Sequence, residues 1–143
     1  MAIKLEFPPN YDQIKEAIPT VVDTQPIFCF GPDIYNPYGH QLDKHIIAHE
    51  AVHYVQQQAV GTPDLWWQRY LIDPEFRVRE EVEAYREQIR SFKQTRILTE
   101  WGTRIKPPFK WRKNYALNLA QALSSPMYGG VINKARAYHL LTA

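Results

Sequence analysis

The segment 46–53, with the sequence Ile-Ile-Ala-His-Glu-Ala-Val-His, constrains the fold more than any other part of this chain. In a helix, histidines at positions i and i+4 share one face, with their Cβ atoms about 5–6 Å apart. The apolar neighbours Ile46, Ile47 and Val52 predict that the sides of this helix are buried. Burying two imidazoles and a carboxylate is costly unless they have partners. The segment therefore predicts a buried helix whose histidines share a ligand.

A single Zn²⁺ is the ligand that fits this pattern. Two imidazole nitrogens on one helix face can both reach a tetrahedral zinc ion at about 2.0–2.1 Å. Glu50 follows His49 directly, so it projects beside the metal and can act as the general base that takes a proton from a zinc-bound water. We expect Zn²⁺ as the cofactor, His49 and His53 as metal ligands and Glu50 as a catalytic residue. The alternative is a pair of helix histidines that bind no metal.

A catalytic zinc site needs a third protein ligand. The residues that follow His53 include no histidine at short spacing, and the next one is His139. The acids Glu80, Glu81, Glu83 and Glu87 instead cluster on a second predicted long helix. If that helix packs antiparallel to the first, one of these carboxylates can point at the metal.

From about Tyr35 through Arg86 the chain resembles the gluzincins, which are zinc peptidases whose third ligand is a glutamate on a separate helix. It is more similar still to small zincin-like proteins of tailed phages, and more weakly to the metallopeptidases that cleave phage repressors. In such families the ligand is often the glutamate of a Glu-Ala-aromatic segment. The resemblance therefore implies a zincin-like fold, peptidase activity on a peptide or protein, and Glu83, in Glu83-Ala84-Tyr85, as the third ligand.

Other roles remain open for the four acids. Glu80 lies one turn before Glu83, so it is either the alternative ligand or an acceptor for an imidazole N–H. Glu81 and Glu87 are expected to be solvated or paired with arginines, and Glu83 itself would otherwise be an exposed helix acid.

Tyr128 is the candidate for a second catalytic residue. A peptidase gains from a donor that stabilises the oxyanion of the tetrahedral intermediate. Tyr128 lies in the turn-rich segment Pro126-Met127-Tyr128-Gly129-Gly130, from which it could reach the cleft. The alternative is a packing or surface role.

Strand patterns come first along the chain and helix patterns follow, which predicts an α+β fold with a small N-terminal sheet and a helical bundle in one domain, residues 1–143. Strands are predicted at 3–7 and 26–30. Helices are predicted at 10–18, 43–59, 73–97, 111–123 and 131–141. Asp43 and Asp73 are the expected N-caps of the two long helices, with Pro74 in the first turn of the second.

Composition restricts the partners and the compartment. The chain has 17 Lys and Arg against 15 Asp and Glu, and this small excess gives no reason to expect nucleic acid or a membrane as partner. The single cysteine, Cys29, excludes an internal disulfide framework and suits a reducing compartment. No apolar leader begins the chain and no stretch approaches about 18 apolar residues. We expect a cytoplasmic protein, in a host cytoplasm or in an assembled particle, with its oligomeric state open.

A second hypothesis is a structural or partner-binding protein that keeps the zincin fold without catalysis. An open coordination position near Glu50 favours the enzyme, whereas a cleft filled by the protein's own loops favours the binding protein.

Overall fold

The computed structural model describes all 143 residues and has the predicted α+β class. Three strands form one sheet: β1 (Ala2–Lys4), β2 (Phe28–Phe30) and β3 (Asp33–Tyr35). Seven α-helices follow the order α1 (Tyr11–Ala17), α2 (Val21–Thr24), α3 (Lys44–Val60), α4 (Pro63–Ile72), α5 (Pro74–Gln94), α6 (Phe109–Leu123) and α7 (Lys134–Thr142). A hairpin of β4 (Ile97–Leu98) and β5 (Arg104–Ile105) and a 3₁₀ turn (Pro126–Tyr128) complete the fold. No helix combines the length and apolar character needed to cross a membrane.

The small sheet has β3 at its centre, parallel to β1 and antiparallel to β2. The predicted first strand is longer than the observed one, because β3 ends at Tyr35 and gives β1 no partner beyond Lys4. Phe7, which was expected in this strand, packs instead on the ring of Tyr11 with the ring centres 4.2 Å apart.

Both long helices begin at the predicted caps. The side chain of Asp43 accepts hydrogen bonds from the amides of His45 and Ile46 at the start of α3. Asp73 accepts from the amide of Phe76 at the start of α5, whose first residue is Pro74. These bonds satisfy amides that have no partner within the helix. Helix α5 ends three residues before the predicted position, because Ile97 pairs with Ile105 in the β4–β5 hairpin.

Helix α4 was not predicted. Gly61, with φ of 131°, ends α3, and Thr62 at once caps the next helix by accepting from the amide of Leu65. Pro63 occupies the first turn of α4, where its missing N–H costs nothing. The Gly-Thr-Pro segment therefore ends one helix and begins another.

Helices α3 and α5 pack antiparallel and form the centre of the fold. His45, near the start of α3, is 2.8 Å from the hydroxyl of Ser91 near the end of α5. Toward the other end, Gln56 donates to the carbonyl oxygen of Glu80 at 3.0 Å. One apolar core cluster includes Phe28, Trp66, Trp67, Tyr70 and Phe76, and the other includes Tyr85, Ile89, Ala120, Leu123 and Tyr128. Residues of both clusters line the cavity that holds the candidate site.

Candidate metal centre

Helix α3 supplies His49, Glu50 and His53, and helix α5 supplies Glu81. All four side chains are buried, with exposed fractions of 7% for His49, 6% for Glu50, 5% for His53 and 4% for Glu81. Because the two helices are antiparallel neighbours, the carboxylate from α5 lies directly opposite the histidine pair of α3. The sequence analysis expected a glutamate of this second long helix, Glu83, to face the histidine pair; the glutamate that does so in the structure is Glu81.

The spacing of the donor atoms fits one small metal ion. The two Nε2 atoms of His49 and His53 are 3.2 Å apart. Oε2 of Glu81 is 3.2 Å from Nε2 of His49, and its Oε1 is 3.4 Å from Nε2 of His53. Ligands about 2.0–2.1 Å from a tetrahedral zinc ion lie about 3.3–3.4 Å from one another. The three side chains could therefore hold a metal ion with little movement.

Buried polar atoms of the group lack hydrogen-bond partners. Oε2 of Glu81 and Nδ1 of His49 have no hydrogen bond in an interior where such atoms are nearly always paired. The 3.2 Å contact from Oε2 of Glu81 to His49 does not have hydrogen-bond geometry. A cation between the donors would satisfy the carboxylate oxygen.

Two further side chains orient the donors. Gln56 accepts from Nδ1–H of His53 at 2.8 Å and is itself fixed by donating to the carbonyl of Glu80. This leaves Nε2 of His53 as the atom that faces the other donors. The hydroxyl of Tyr70 donates to Oε1 of Glu81 at 2.6 Å. Such outer partners fix the orientation of metal ligands.

Sequence reasoning missed both of these side chains. The sequence analysis assigned no role to Gln56. The available signal was its position three residues after His53, on the same helix face. Tyr70 belongs to α4, which was not predicted, so the sequence offered no means of placing it.

The charges in the group are strongly coupled. Burial lowers the pKa of His53, but the carboxylate of Glu81 outweighs burial and raises this pKa to about 9. Burial raises the pKa of Glu81, but the two imidazoles reverse this effect and hold it well below its usual range. The carboxyl of Glu50 has its pKa raised, chiefly because it is buried, although both imidazoles oppose the shift. Glu50 makes no hydrogen bond to the protein, so its carboxylate remains free for other partners.

Glu83, the predicted third ligand, is not part of the group: its side chain is exposed on the outer face of α5. Two residues along a helix correspond to about 200° of rotation, so Glu81 and Glu83 cannot face the same partner. Glu80 is also outside the group, because its carboxylate accepts from the indole N–H of Trp66 at 3.1 Å. The expectation that Glu81 is solvated or paired with an arginine was wrong, whereas Glu87 does pair with Arg90, at 2.7 Å.

A cavity of about 270 Å³ opens beside the four side chains. Most of its lining is apolar and comes from α1, α2, β2, α4, α6 and the 3₁₀ turn, including Ile14, Phe28, Trp67, Leu119 and Met127. Tyr128 is also in the wall, buried, with its hydroxyl 2.8 Å from that of Tyr85. The ring of Tyr85 packs edge-on against His49, with ring centres 4.5 Å apart. The structure thus brings Tyr128 to the cavity wall, and its catalytic role stays a prediction.

A buried His-His-Glu group beside an apolar cavity can bind a metal ion and expose it to a small organic group. A comparison of the chain with protein-family models, with curated proteins and with solved structures gives no match.

Proposed function

We propose that this protein is a zinc-dependent metallopeptidase in which His49, His53 and Glu81 hold the metal and Glu50 is the general base. The observation that carries the proposal is the convergence of three buried donors at tetrahedral spacing, with the unbonded Glu50 carboxylate in the wall of the same cavity. The resemblance to gluzincins supports it, because Glu81 stands on a separate helix as their third ligand does. The free, buried thiol of Cys29 is consistent with a reducing compartment such as the cytoplasm.

Each side chain has a defined task in this proposal. A bound zinc ion supplies Lewis acidity that makes a water more acidic and polarises the substrate carbonyl. Glu50 takes the proton of the attacking water and returns it to the leaving amine. Burial keeps the pKa of Tyr128 well above its usual value, so its phenol stays protonated and can donate to a developing oxyanion.

The test separates metal binding from turnover. Glu50→Gln removes the base but none of the three donors, so it is expected to keep one zinc per chain and to lose cleavage of a peptide library by about 10²-fold or more. His53→Ala is expected to lose the metal and activity together. Metal content by elemental mass spectrometry and cleavage by peptide mass spectrometry provide the two readouts. Cleavage by Glu50→Gln at the wild-type rate would show that this mechanism is wrong.

A metal-binding protein without catalysis is the second candidate. It is favoured by the closeness of the cavity walls: Thr24, in α2 three residues after the lining residue Val21, lies 3.6 Å from the sulfur of Met127, which lines the cavity from the 3₁₀ turn. An extended peptide would have to displace this contact. If the wild-type protein holds zinc and cleaves no peptide, while Met127→Ala cleaves, the protein is a latent enzyme. If neither cleaves, the non-catalytic function is supported.

A further inference from the structure

The positive charge of the chain is concentrated in one segment, residues 93–113. This segment contains seven Lys and Arg and one acid, Glu100, so its formal charge is +6. The remaining residues contain ten Lys and Arg against fourteen Asp and Glu, a formal charge of −4. The total of +2 therefore conceals a strongly basic segment on an acidic protein. We call residues 93–113 the basic segment.

The cations of the basic segment lie free on the surface. The basic segment comprises the end of α5, the β4–β5 hairpin, the connection through Pro107 and Pro108, and the first turn of α6. None of its seven cations forms a salt bridge; six are exposed and one, Arg112, is half-buried. The seven cations are Lys93, Arg96, Arg104, Lys106, Lys110, Arg112 and Lys113. Pro107 is its single buried residue and anchors the connection to the protein. Unpaired cations at this density favour a polyanionic partner.

Three large aromatic rings of the basic segment are exposed. Trp101, at the tip of the hairpin, is 84% exposed, and Phe109 and Trp111 at the start of α6 are 70% and 52% exposed. In sequence, Trp111 lies between Lys110 and Arg112, and Phe109 directly precedes Lys110. The guanidinium of Arg112 lies 5.8 Å from the centre of the Phe109 ring. Exposed rings beside free cations are the features with which proteins bind single-stranded nucleic acid: bases stack on the rings and phosphates contact the cations.

The start of α6 adds a further anion-binding element. Its N-cap is Pro108, which gives no side-chain hydrogen bond to the first amides, and its first turn has no acid. The helix therefore presents uncapped N–H groups, and the positive end of its dipole, among the cations of Lys106 and Lys110.

The composition of the hairpin tip favours nucleic acid over a lipid surface. A membrane-inserting loop buries an apolar tip, with its cations at headgroup level. Here the one acid of the basic segment, Glu100, directly precedes Trp101, and Thr99 and Thr103 bond to each other across the tip at 2.7 Å. Inserting Trp101 would take the Glu100 carboxylate into the lipid. We propose that the basic segment is a binding surface for single-stranded nucleic acid.

The experiment measures binding of the full-length protein to a fluorescein-labelled oligothymidylate by fluorescence anisotropy. If about five cations contact phosphates, raising the salt concentration from about 50 to about 200 mM is expected to weaken binding about 100-fold. Trp101→Ala is expected to weaken it about 5- to 100-fold through lost stacking, and Trp101→Phe to restore part of the loss. Lys106→Glu combined with Lys110→Glu is expected to reduce the salt dependence.

Matched controls outside the segment are Ile72→Ala, at an exposed apolar residue, and Lys15→Glu, at an exposed cation; both are expected to bind as the wild type does. His53→Ala is also expected to retain binding, so that failure of the metal site and failure of this surface are distinguishable. Circular dichroism confirms that each variant is folded. Equal binding by Trp101→Ala and wild type, or no binding at low salt, would overturn the proposal. Binding to vesicles of phosphatidylcholine with phosphatidylserine, but not to the oligonucleotide, would overturn it in favour of a membrane.

Discussion

Replacing Tyr70 by phenylalanine tests whether the carboxylate of Glu81 is positioned for a metal. The hydroxyl of Tyr70 donates a 2.6 Å hydrogen bond to Oε1 of Glu81, and both side chains are buried. A hydrogen bond to a charged group contributes about 1.5–3 kcal/mol, which corresponds to about 10- to 150-fold in a binding constant. The ring of Tyr70 remains stacked on Trp66, with centres 4.8 Å apart, so the variant loses one oxygen and little packing.

The assay is competition for zinc between the protein and a chromogenic chelator at fixed pH. Tyr70→Phe is expected to bind zinc about 10- to 100-fold more weakly than wild type, which is also the usual effect of losing a partner of a metal ligand. Tyr128→Phe is the matched control, because its hydroxyl bonds to Tyr85 and not to Glu81. An unchanged zinc affinity in Tyr70→Phe, or an equal loss in both variants, would refute this assignment.

Three other outcomes are expected. Glu81→Gln should bind less than one-tenth of the wild-type zinc at limiting metal, whereas Glu83→Gln should bind as wild type does; elemental analysis distinguishes them. Gln57→Leu should lower the free energy of unfolding, measured in urea, by about 1–3 kcal/mol, because it leaves the buried amide of Gly31 unpaired. Gln58→Leu, at an exposed position, should change it by less than about 0.5 kcal/mol. In metal-free protein the pKa of His53 is about 9 in the folded state and about 6.5 in the unfolded state. Protonation of His53 therefore stabilises the folded state, by an amount on the order of 3 kcal/mol, which is fully present below pH 6.5 and is lost as the pH rises through about 9. Unfolding free energies of wild type and His53→Gln across this range should therefore converge at high pH, and a constant difference would contradict the assignment.

Local sequence signals identified the two helices that build the site. Asp43 and Asp73 act at the ends of α3 and α5 through bonds to amides two or three residues away, so their effect is visible in a short segment. The positions of His49 and His53 on one face of α3 follow from helix geometry alone. The sequence analysis missed an element whose start signal directly follows the end signal of the preceding helix. Thr62-Pro63, which begins α4, directly follows the glycine that ends α3, and the sequence analysis predicted no helix between residues 59 and 73.

The choice of glutamate shows why the site was predicted only in part. The resemblance pointed to Glu83, from the segment Glu-Ala-Tyr, but the face of α5 that meets α3 is fixed by packing. Val78 and Tyr85 are buried, and Glu81 lies three residues after one and four residues before the other, within the same stripe. This spacing was a sequence signal for Glu81 over Glu83. Which face of the helix meets the histidines depends on residues from α4 and α6, and that information is not local.

The site can exist without its metal because the fold has other sources of stability. The apolar clusters on the two sides of the cavity are built from residues of the sheet and of every helix except α3, and none of their members is a metal ligand. Without metal, protonated His53 and the Glu81 carboxylate form a buried ion pair at 3.4 Å, which meets part of the cost of burying both. A small zinc finger, by contrast, has no such core and unfolds without metal. We therefore expect chelator-treated protein to keep its helical circular dichroism spectrum and a cooperative unfolding transition, with zinc raising the transition temperature by mass action. Loss of the helical spectrum on chelation would show instead that the carboxylate and the histidines cannot be buried together unless a metal joins them.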